Sequence, residues 1–195
     1  MDNKQNLPKI IECKYTSILG ESIEGKLVPM SIMTQDLISS EIEELKNKLV
    51  SNKEVKIEDF IKSLQTENST IEEVTDQYLK LKATKSLSDI GKDVNEEEIG
   101  KYIKKHGKVL VDGKTKEELL KELATLAIDT DTNLKVMQRL CVLSIFYNLR
   151  KPDSLKQRVY EKIDELLEDI SMQDLYNIFS LYNNENDVKE DSVKN

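Results

Sequence analysis

The 195-residue chain is poor in the residues that build irregular structure and many reactive sites. It has no Trp, one His, two Cys, three Pro and six Gly. So few glycines and prolines exclude collagen-like and glycine-rich chains. Cys13 and Cys141 lie far apart without a CxxC or Cys/His spacing, which argues against a disulfide framework and a structural zinc site. We therefore expect a soluble, unprocessed globular protein of a reducing cytoplasm.

Long apolar runs and an excess of positive charge are also missing. No segment approaches the roughly 18 to 20 apolar residues that span a bilayer, and the start MDNKQNLPK has no apolar signal core. The net charge is -8. Proteins that bind nucleic acids or anionic membranes usually gain affinity from excess Lys and Arg. The sequence therefore argues against membrane association and makes nucleic acid an unfavoured partner.

The first 33 residues predict a β-hairpin. Apolar residues recur around residues 10–18 and again over residues 26–32, and a loop with Gly20 and Gly25 connects the two runs. Pro29 restricts the second strand to a sheet edge or a bulge. From Thr34, a candidate N-cap, the apolar period changes to that of an amphipathic helix.

The rest of the chain predicts short amphipathic helices. Capping boxes are predicted at Ser69–Glu72, Asn95–Glu98 and Thr115–Glu118. The Asn95 helix is expected to end at His106-Gly107, before a short strand at residues 108–111. Residues 134–149 are almost continuously apolar and predict a buried central helix. Pro152 ends that helix, another begins at Asp153 or Ser154, and Ser171 opens the last.

These elements predict a mainly α protein, with an N-terminal β-hairpin followed by a bundle of about seven helices. Residues 86–95 are polar and contain Gly91, so they are the candidate linker between two domains. The predicted division is a hairpin-plus-helix domain over residues 1–85 and a helical domain over residues 95–183. Residues 184–195 are too polar to form a core and predict a disordered tail.

Candidate catalytic groups are few. His106 is the single histidine, so Ser/His/Asp, Cys/His and multi-histidine metal sites would need a second chain. Neither cysteine has a histidine neighbour in sequence that would activate its thiol. Paired carboxylates such as Glu43 and Glu44 lie among lysines on hydrophilic helix faces. We expect no catalytic residue, no cofactor site and no metal site.

Two charged segments mimic ligand sites. Asp129, Asp131 and Asn133 have the spacing of the first three calcium ligands of an EF-hand loop. Leu134 stands where the loop needs Gly, and Leu140 where it needs Glu, so we expect a plain loop that caps the next helix. A lysine cluster between Lys101 and Lys116 could bind a phosphate, but it has no Arg and no glycine-rich loop, which favours solvated helix ends.

The N-terminal strand, the glycine-centred loop and the strand Gly25-Lys-Leu-Val-Pro-Met-Ser-Ile-Met, which leads directly into a helix, resemble the start of phage tail assembly chaperones and of T4-type baseplate hub assembly proteins. The segment Tyr78-Leu-Lys-Leu-Lys-Ala-Thr-Lys-Ser86 is similar to a short basic and apolar run of the hub assembly family. The resemblance covers about half of the chain. It implies a non-catalytic assembly or structural protein of the host cytoplasm or the virion, with tail or baseplate proteins as partners.

Two functional hypotheses remain open. The first is this protein-binding assembly role. The second is a small acidic phage or bacterial regulator that binds and inhibits a host enzyme or a nucleic-acid-processing complex. In either case an unpaired strand edge and an aromatic helix face would contact the partner. The candidate partner-binding residues are Leu27, Val28, Met30, Ile32, Tyr176, Phe179 and Tyr182.

Overall fold

The computed structural model describes residues 9–66 and 69–186 of the chain. It is mainly α, with 70% helix and an N-terminal hairpin that belongs to a four-stranded antiparallel sheet, which confirms the predicted fold class. The described elements are β1 (Ile11–Thr16), β2 (Ser22–Leu27), α1 (Ile32–Ser51), α2 (Lys53–Thr66), α3 (Ile71–Asp89), α4 (Glu96–Val111), α5 (Lys116–Asn148), β3 (Leu149–Lys151), β4 (Ser154–Arg158), α6 (Ile163–Asp169) and α7 (Met172–Asn186).

The chain divides into two compact units. Unit 1 comprises Met1–Glu44 and Val136–Asn195, and unit 2 comprises Leu45–Lys135. This division differs from the predicted one, because β2 pairs with β3 far along the chain, with Leu27 opposite Leu149. The predicted linker at residues 86–95 contains the end of α3 and the connection to α4, and it lies inside unit 2.

Unit 1 is built on the sheet, whose strand order is β1-β2-β3-β4. One core cluster joins the hairpin to residues near the other end of the sequence, with Tyr15, Leu27, Leu149 and Leu175 all buried. A second cluster packs Ile38 and Ile42 of α1 against Leu143 of α5. In both cases, apolar positions at strand or helix spacing supply the buried face.

Unit 2 is helical. Its core cluster contains Leu64 of α2, Val74 and Tyr78 of α3, and Leu119 and Leu123 of α5. Several helix starts match the sequence predictions. The side chain of Asn95 accepts a hydrogen bond from the Glu98 N–H at 3.0 Å, and the Thr115–Glu118 box is formed.

Some boundaries shift by a few residues. The predicted Ser69–Glu72 capping box forms one residue later, between Thr70 and Glu73. The start of α1 is Ile32 instead of Thr34, because the Ser31 hydroxyl accepts the Thr34 N–H at 3.2 Å and serves as the cap. The predicted second strand is also displaced, since β2 begins at Ser22 and Val28 follows it.

Larger differences concern four segments. α4 continues through His106-Gly107 to Val111, so the predicted strand at residues 108–111 is wrong. Gly107 is buried where α4 passes α3, and a Cβ there would lie at ordinary contact distance, 3.5 Å from Leu79 Cδ1, so this glycine lies within the helix instead of ending it. Residues 129–133 form no loop, because α5 is one helix of 33 residues.

The third and fourth differences lie in the last quarter of the chain. Residues 149–158 form the hairpin of β3 and β4, where a helix from Ser154 was predicted. Pro152 and Asp153 make the turn, a role for which both residue types are suited. α7 extends through Asn186, beyond the predicted helical boundary at residue 183. The remainder of the predicted tail, residues 187–195, lies outside the described residues.

Candidate partner-binding surface

The seven residues predicted to bind a partner occupy different environments. Leu27 is fully buried and Tyr182 is 6% exposed, so both belong to the core of unit 1. Ile32 is 77% exposed. The other four, Val28, Met30, Tyr176 and Phe179, are half-buried. Of the candidate partner-binding residues, Leu27, on the inner face of β2, and Tyr182, in α7, which packs against β1, are therefore not exposed to a partner.

The turn of the first hairpin presents two aliphatic side chains that the sequence analysis did not select. Ile18 is 62% exposed and Leu19 is 83% exposed. We call residues 17–21 the hairpin tip. Single exposed aliphatic residues are common on proteins, but two adjacent ones at the end of a hairpin form a small apolar contact surface.

Hydrogen bonds fix the shape of the hairpin tip. The Ser17 N–H donates to the Glu21 carbonyl at 2.7 Å, and the Gly20 N–H donates to the Ser17 carbonyl at 2.9 Å. The buried Ser17 hydroxyl accepts the Glu21 N–H at 3.1 Å. Gly20 has φ +87°, a left-handed conformation that glycine adopts without strain. The two exposed aliphatic residues are therefore held on an ordered turn.

A tyrosine pair anchors the same hairpin to the C-terminal part of unit 1. The Tyr15 and Tyr160 hydroxyls are hydrogen-bonded, and Tyr160 donates to Asp169 Oδ2. The Asp169 carbonyl in turn accepts the Ile18 N–H at 2.8 Å. Burial raises the pKa of Tyr15 to about 12, and burial together with the Asp169 hydrogen bond raises the pKa of Tyr160. Both phenols stay neutral at ordinary pH, which suits an anchoring role.

A second exposed apolar area lies at the start of α1. Ile32 and Met33 are each 77% exposed, and Leu37 is 52% exposed. Met33 and Leu37 are four residues apart and so lie on one helix face, while Ile38 and Ile42 on another face are buried. The first turns of α1 therefore have an outward apolar face of the kind that binds other proteins.

The described residues include no group of three or more His, Cys, Asp or Glu placed to hold a metal ion. Burial raises the pKa of the Cys13 thiol to about 11 and does the same for Cys141, so neither is an activated nucleophile. His106 lies within α4 beside Tyr102, with ring centroids 4.8 Å apart.

Residues 129–133 lie on a helix, whereas the lysine cluster is spread over α4, the α4–α5 connection and the first residue of α5. Asp129 is ion-paired with Lys53 at 2.7 Å, and Asp131 with Lys135 at 2.7 Å, on the continuous helix α5. In the lysine cluster, Lys101 pairs with Glu97 and Glu98 at 2.7 Å. Lys114 pairs with Glu122, and Lys116 donates to the Ser69 carbonyl. Half of the lysines in the cluster therefore bind acceptors within the protein itself.

A cleft of about 320 Å³ in unit 2 contains several charged side chains. Tyr78, Glu122 and Asp129 are among its lining residues. Glu122 accepts two hydrogen bonds from Lys114, whose Nζ lies 5.2 Å from the centroid of the Tyr78 ring. Burial, followed by the Glu122 hydrogen bond, raises the pKa of Tyr78. The two carboxylates of this cleft are therefore each paired with a lysine, Glu122 with Lys114 and Asp129 with Lys53.

The three arginines are the other group that the sequence analysis passed over. Arg139, Arg150 and Arg158 are the only arginines in a chain with 29 basic residues. Arg139 donates to Glu41 Oε2 at 2.9 Å. Arg158 lies over the rings of Phe146 and Tyr147, at 5.0 and 4.9 Å from their centroids. The signal that could have revealed them is their rarity, because Arg binds oxyanions with a planar fork that Lys lacks.

The chain has no match that would connect this surface to a known protein. No family model, no curated protein and no solved structure matches it. Within the described residues, no helix is both long enough and apolar enough to cross a bilayer.

Proposed function

We propose that this chain is a non-catalytic assembly or structural protein that works by binding other proteins through unit 1. The observation that carries the proposal is the ordered hairpin tip, where hydrogen bonds hold Ile18 and Leu19 in solvent. A preordered turn loses little conformational entropy on binding, so more of the apolar contact energy contributes to affinity. Full burial of each aliphatic side chain contributes about 1.5 to 3 kcal/mol.

Two further features of unit 1 support a protein partner. β1 lies at one edge of the sheet, and an edge strand can pair with a strand of another chain. The exposed residues Ile32 and Met33 of α1 offer a helix face for contact. Burial raises the pKa of both cysteine thiols, Cys13 and Cys141, and Lys114 is ion-paired with Glu122. The state of these groups favours binding over catalysis.

We assign the partner to a phage tail or baseplate on the basis of the sequence resemblance. The segment Gly25–Met33 covers the end of β2, the connection and the start of α1, so it includes the exposed Ile32 and Met33. The segment Tyr78–Ser86 lies in α3, where Tyr78 and Ala83 are buried in unit 2. The first segment therefore supplies contact residues for the proposed role, and the second supplies core residues.

The test should change the hairpin tip without removing the hairpin. Tyr15 and Leu27 are core residues, so deleting residues 1–32 would unfold unit 1 and could not report on binding. The double variant Ile18→Ser, Leu19→Ser removes the apolar contact area and keeps the hydrogen-bonded turn. Val109→Ser is the matched control, because Val109 is 81% exposed and lies in unit 2.

Each tagged protein would be purified from phage-infected host cells, and the copurifying proteins identified by mass spectrometry. We expect tail or baseplate proteins with the parent and with Val109→Ser, and their loss with the double variant. Copurification of a host enzyme instead would support the regulator hypothesis. Retention of every partner by the double variant would disprove the hairpin tip as the contact surface.

A further inference from the structure

Three basic residues lie side by side across the sheet of unit 1. In the strand register, Lys26 of β2 is opposite Arg150 of β3, and Arg150 is opposite Arg158 of β4. Directly opposed residues of neighbouring strands share one face of a sheet. Glu12 of β1 is opposite Lys26 and ends the row. We call Lys26, Arg150 and Arg158 the basic row.

The basic row has few hydrogen-bond acceptors and carboxylates to pair with among the described residues. Arg150 Nη1 is buried and has no hydrogen-bond partner in the part of the chain that the structure describes. Burial and the neighbouring Arg158 charge lower the pKa of the Arg150 guanidinium. Among the described residues, neither Lys26 nor Arg158 forms an ion pair. Since a buried donor without a partner and adjacent like charges both cost stability, the arrangement favours an anion at this position.

The guanidinium of Arg158 is held in place from one side. Its stacking on Phe146 and Tyr147 orients the planar group, and the Tyr147 hydroxyl donates to Glu41 at 3.3 Å. Glu41 also accepts from Arg139, so this carboxylate is already shared by two donors. An oriented guanidinium needs little reorganisation before it binds an oxyanion.

We propose that the basic row binds a carboxylate of an acidic segment of the partner protein, between Arg150 and Arg158 and next to Lys26. This inference rests on the proposed function and specifies the chemistry of the partner. Glu12 beside Lys26 reduces the positive charge at one end of the row, which suits a carboxylate better than a phosphate dianion. The row offers only three cations, whereas proteins that bind nucleic acids contact many phosphates through Lys and Arg, so a single carboxylate fits the row better than a nucleic acid does.

The test is isothermal titration calorimetry of the full chain with a synthetic peptide rich in Glu. Inorganic phosphate is titrated as the second ligand. We expect saturable binding of the peptide, weakened at least about tenfold by Arg150→Gln or Arg158→Gln. Lys151→Gln is the matched control, because Lys151 is exposed on the same strand. It should change the affinity by less than about twofold.

A further variant separates loss of binding from loss of folding. Arg150→Met removes the charge and keeps most of the apolar stem, so it should melt no lower than the parent while it binds the peptide as weakly as Arg150→Gln. Equal effects of Arg150→Met and Lys151→Gln on peptide affinity, or tighter binding of phosphate than of the peptide, would overturn the proposal.

The peptide titration also distinguishes the two proposals. The Ile18→Ser, Leu19→Ser variant should bind the acidic peptide like the parent, because the hairpin tip lies outside the basic row. If the peptide does not bind while the partner still copurifies, the carboxylate site is disproved and the proposed function stands. If the peptide binds but no partner protein copurifies, the proposed function fails and the anion site stands.

Discussion

The two units reach a buried core by different routes. Unit 2 is formed by one continuous stretch, Leu45–Lys135. Its helices are specified largely by local features, namely their caps and the spacing of their apolar residues. Unit 1 joins Met1–Glu44 to Val136–Asn195, and its sheet forms only when β2 meets β3. Contacts between residues far apart in sequence cost chain entropy when they form. The sheet of unit 1 therefore needs favourable tertiary packing, whereas the helices of unit 2 are stabilised by contacts between residues close in sequence.

The units also differ in how their polar groups are satisfied. Within the described residues, the two buried side-chain atoms without a hydrogen-bond partner, Arg150 Nη1 and the Tyr176 hydroxyl, both belong to unit 1. In unit 2, Lys114 and Glu122 pair at 2.6 Å, and Lys53 pairs with Asp129 at 2.7 Å. Under the proposed function, this difference makes unit 1 the part of the chain that a partner would complete.

The largest effect should come from a charge placed in one core at a time. Leu27→Asp in unit 1 and Leu119→Asp in unit 2 are matched, because the parent side chains are 0% and 2% exposed. A buried unpaired carboxylate costs several kcal/mol against a domain stability of about 5 to 15 kcal/mol. Hydrogen exchange with mass spectrometry should show lost protection in β1 and β2 for the first variant, and in α3 and α4 for the second.

The same experiment also shows whether the two units unfold independently. Leu27→Ala is a milder control, which should lose about 2 to 5 kcal/mol of stability and keep its fold if unit 1 is stable enough. If both Asp variants lose protection in the same peptides throughout the chain, the units unfold as one cooperative body.

A smaller effect is expected for the tyrosine anchor of unit 1. Tyr160→Phe removes the hydrogen bond to the Asp169 carboxylate and should cost about 1.5 to 3 kcal/mol, measured by urea unfolding. Tyr176→Phe is the matched control, because its buried hydroxyl has no partner among the described residues. This control should be neutral or stabilising, and a loss equal to that of Tyr160→Phe would contradict the anchor.

Alkaline pH should weaken unit 1 through the same tyrosines. The folded state holds the pKa of Tyr15 at about 12, above its ordinary value of 10.0. The unfolded chain therefore releases this proton first, so the contribution of Tyr15 to stability is complete below pH 10 and is lost between pH 10 and about 12. Phenolate absorbance and circular dichroism recorded on one titration check this. Ionisation of all tyrosines near pH 10 in the folded protein would contradict it.

The smallest effect is expected on the surface of unit 2. Lys101→Gln breaks the pairs with Glu97 and Glu98, whose side chains are exposed or partly exposed. Exposed pairs of this type contribute about 0 to 1 kcal/mol, so the loss of stability should be less than 1 kcal/mol and should shrink in high salt. A loss as large as that of Tyr160→Phe would show that unit 2 also depends on specific polar contacts.

Prediction from sequence succeeded where structure is local. The mainly α class, the N-terminal hairpin and the caps at Asn95 and Thr115 follow from residue spacing and from side chains that bond within three residues. The prediction failed for β4, in which four of five residues are exposed, so the strand has no alternation of apolar and polar residues. It also failed at residues 129–133, where polar residues typical of a loop lie on the exposed or half-buried side of α5.

The candidate surface was harder to predict from the sequence than the fold was. Leu27 and Ile32 are both aliphatic and five positions apart, yet one is fully buried and the other is 77% exposed. Sequence alone cannot separate them, because burial depends on which distant element covers each residue. The exposure of Ile18 and Leu19 is likewise decided by the turn that the Asp169 carbonyl helps to hold.

The sequence by itself determined most of the helices, the caps at Asn95 and Thr115 and the acidic charge, because these depend on composition and on neighbours along the chain. Only the tertiary structure decided the pairing of β2 with β3, which brings Lys26 opposite Arg150 across more than half of the chain. The physical reason is that burial of Leu27 and Leu149 against one another offsets the entropy of closing so long a loop. That same pairing places the basic row on one face of the sheet.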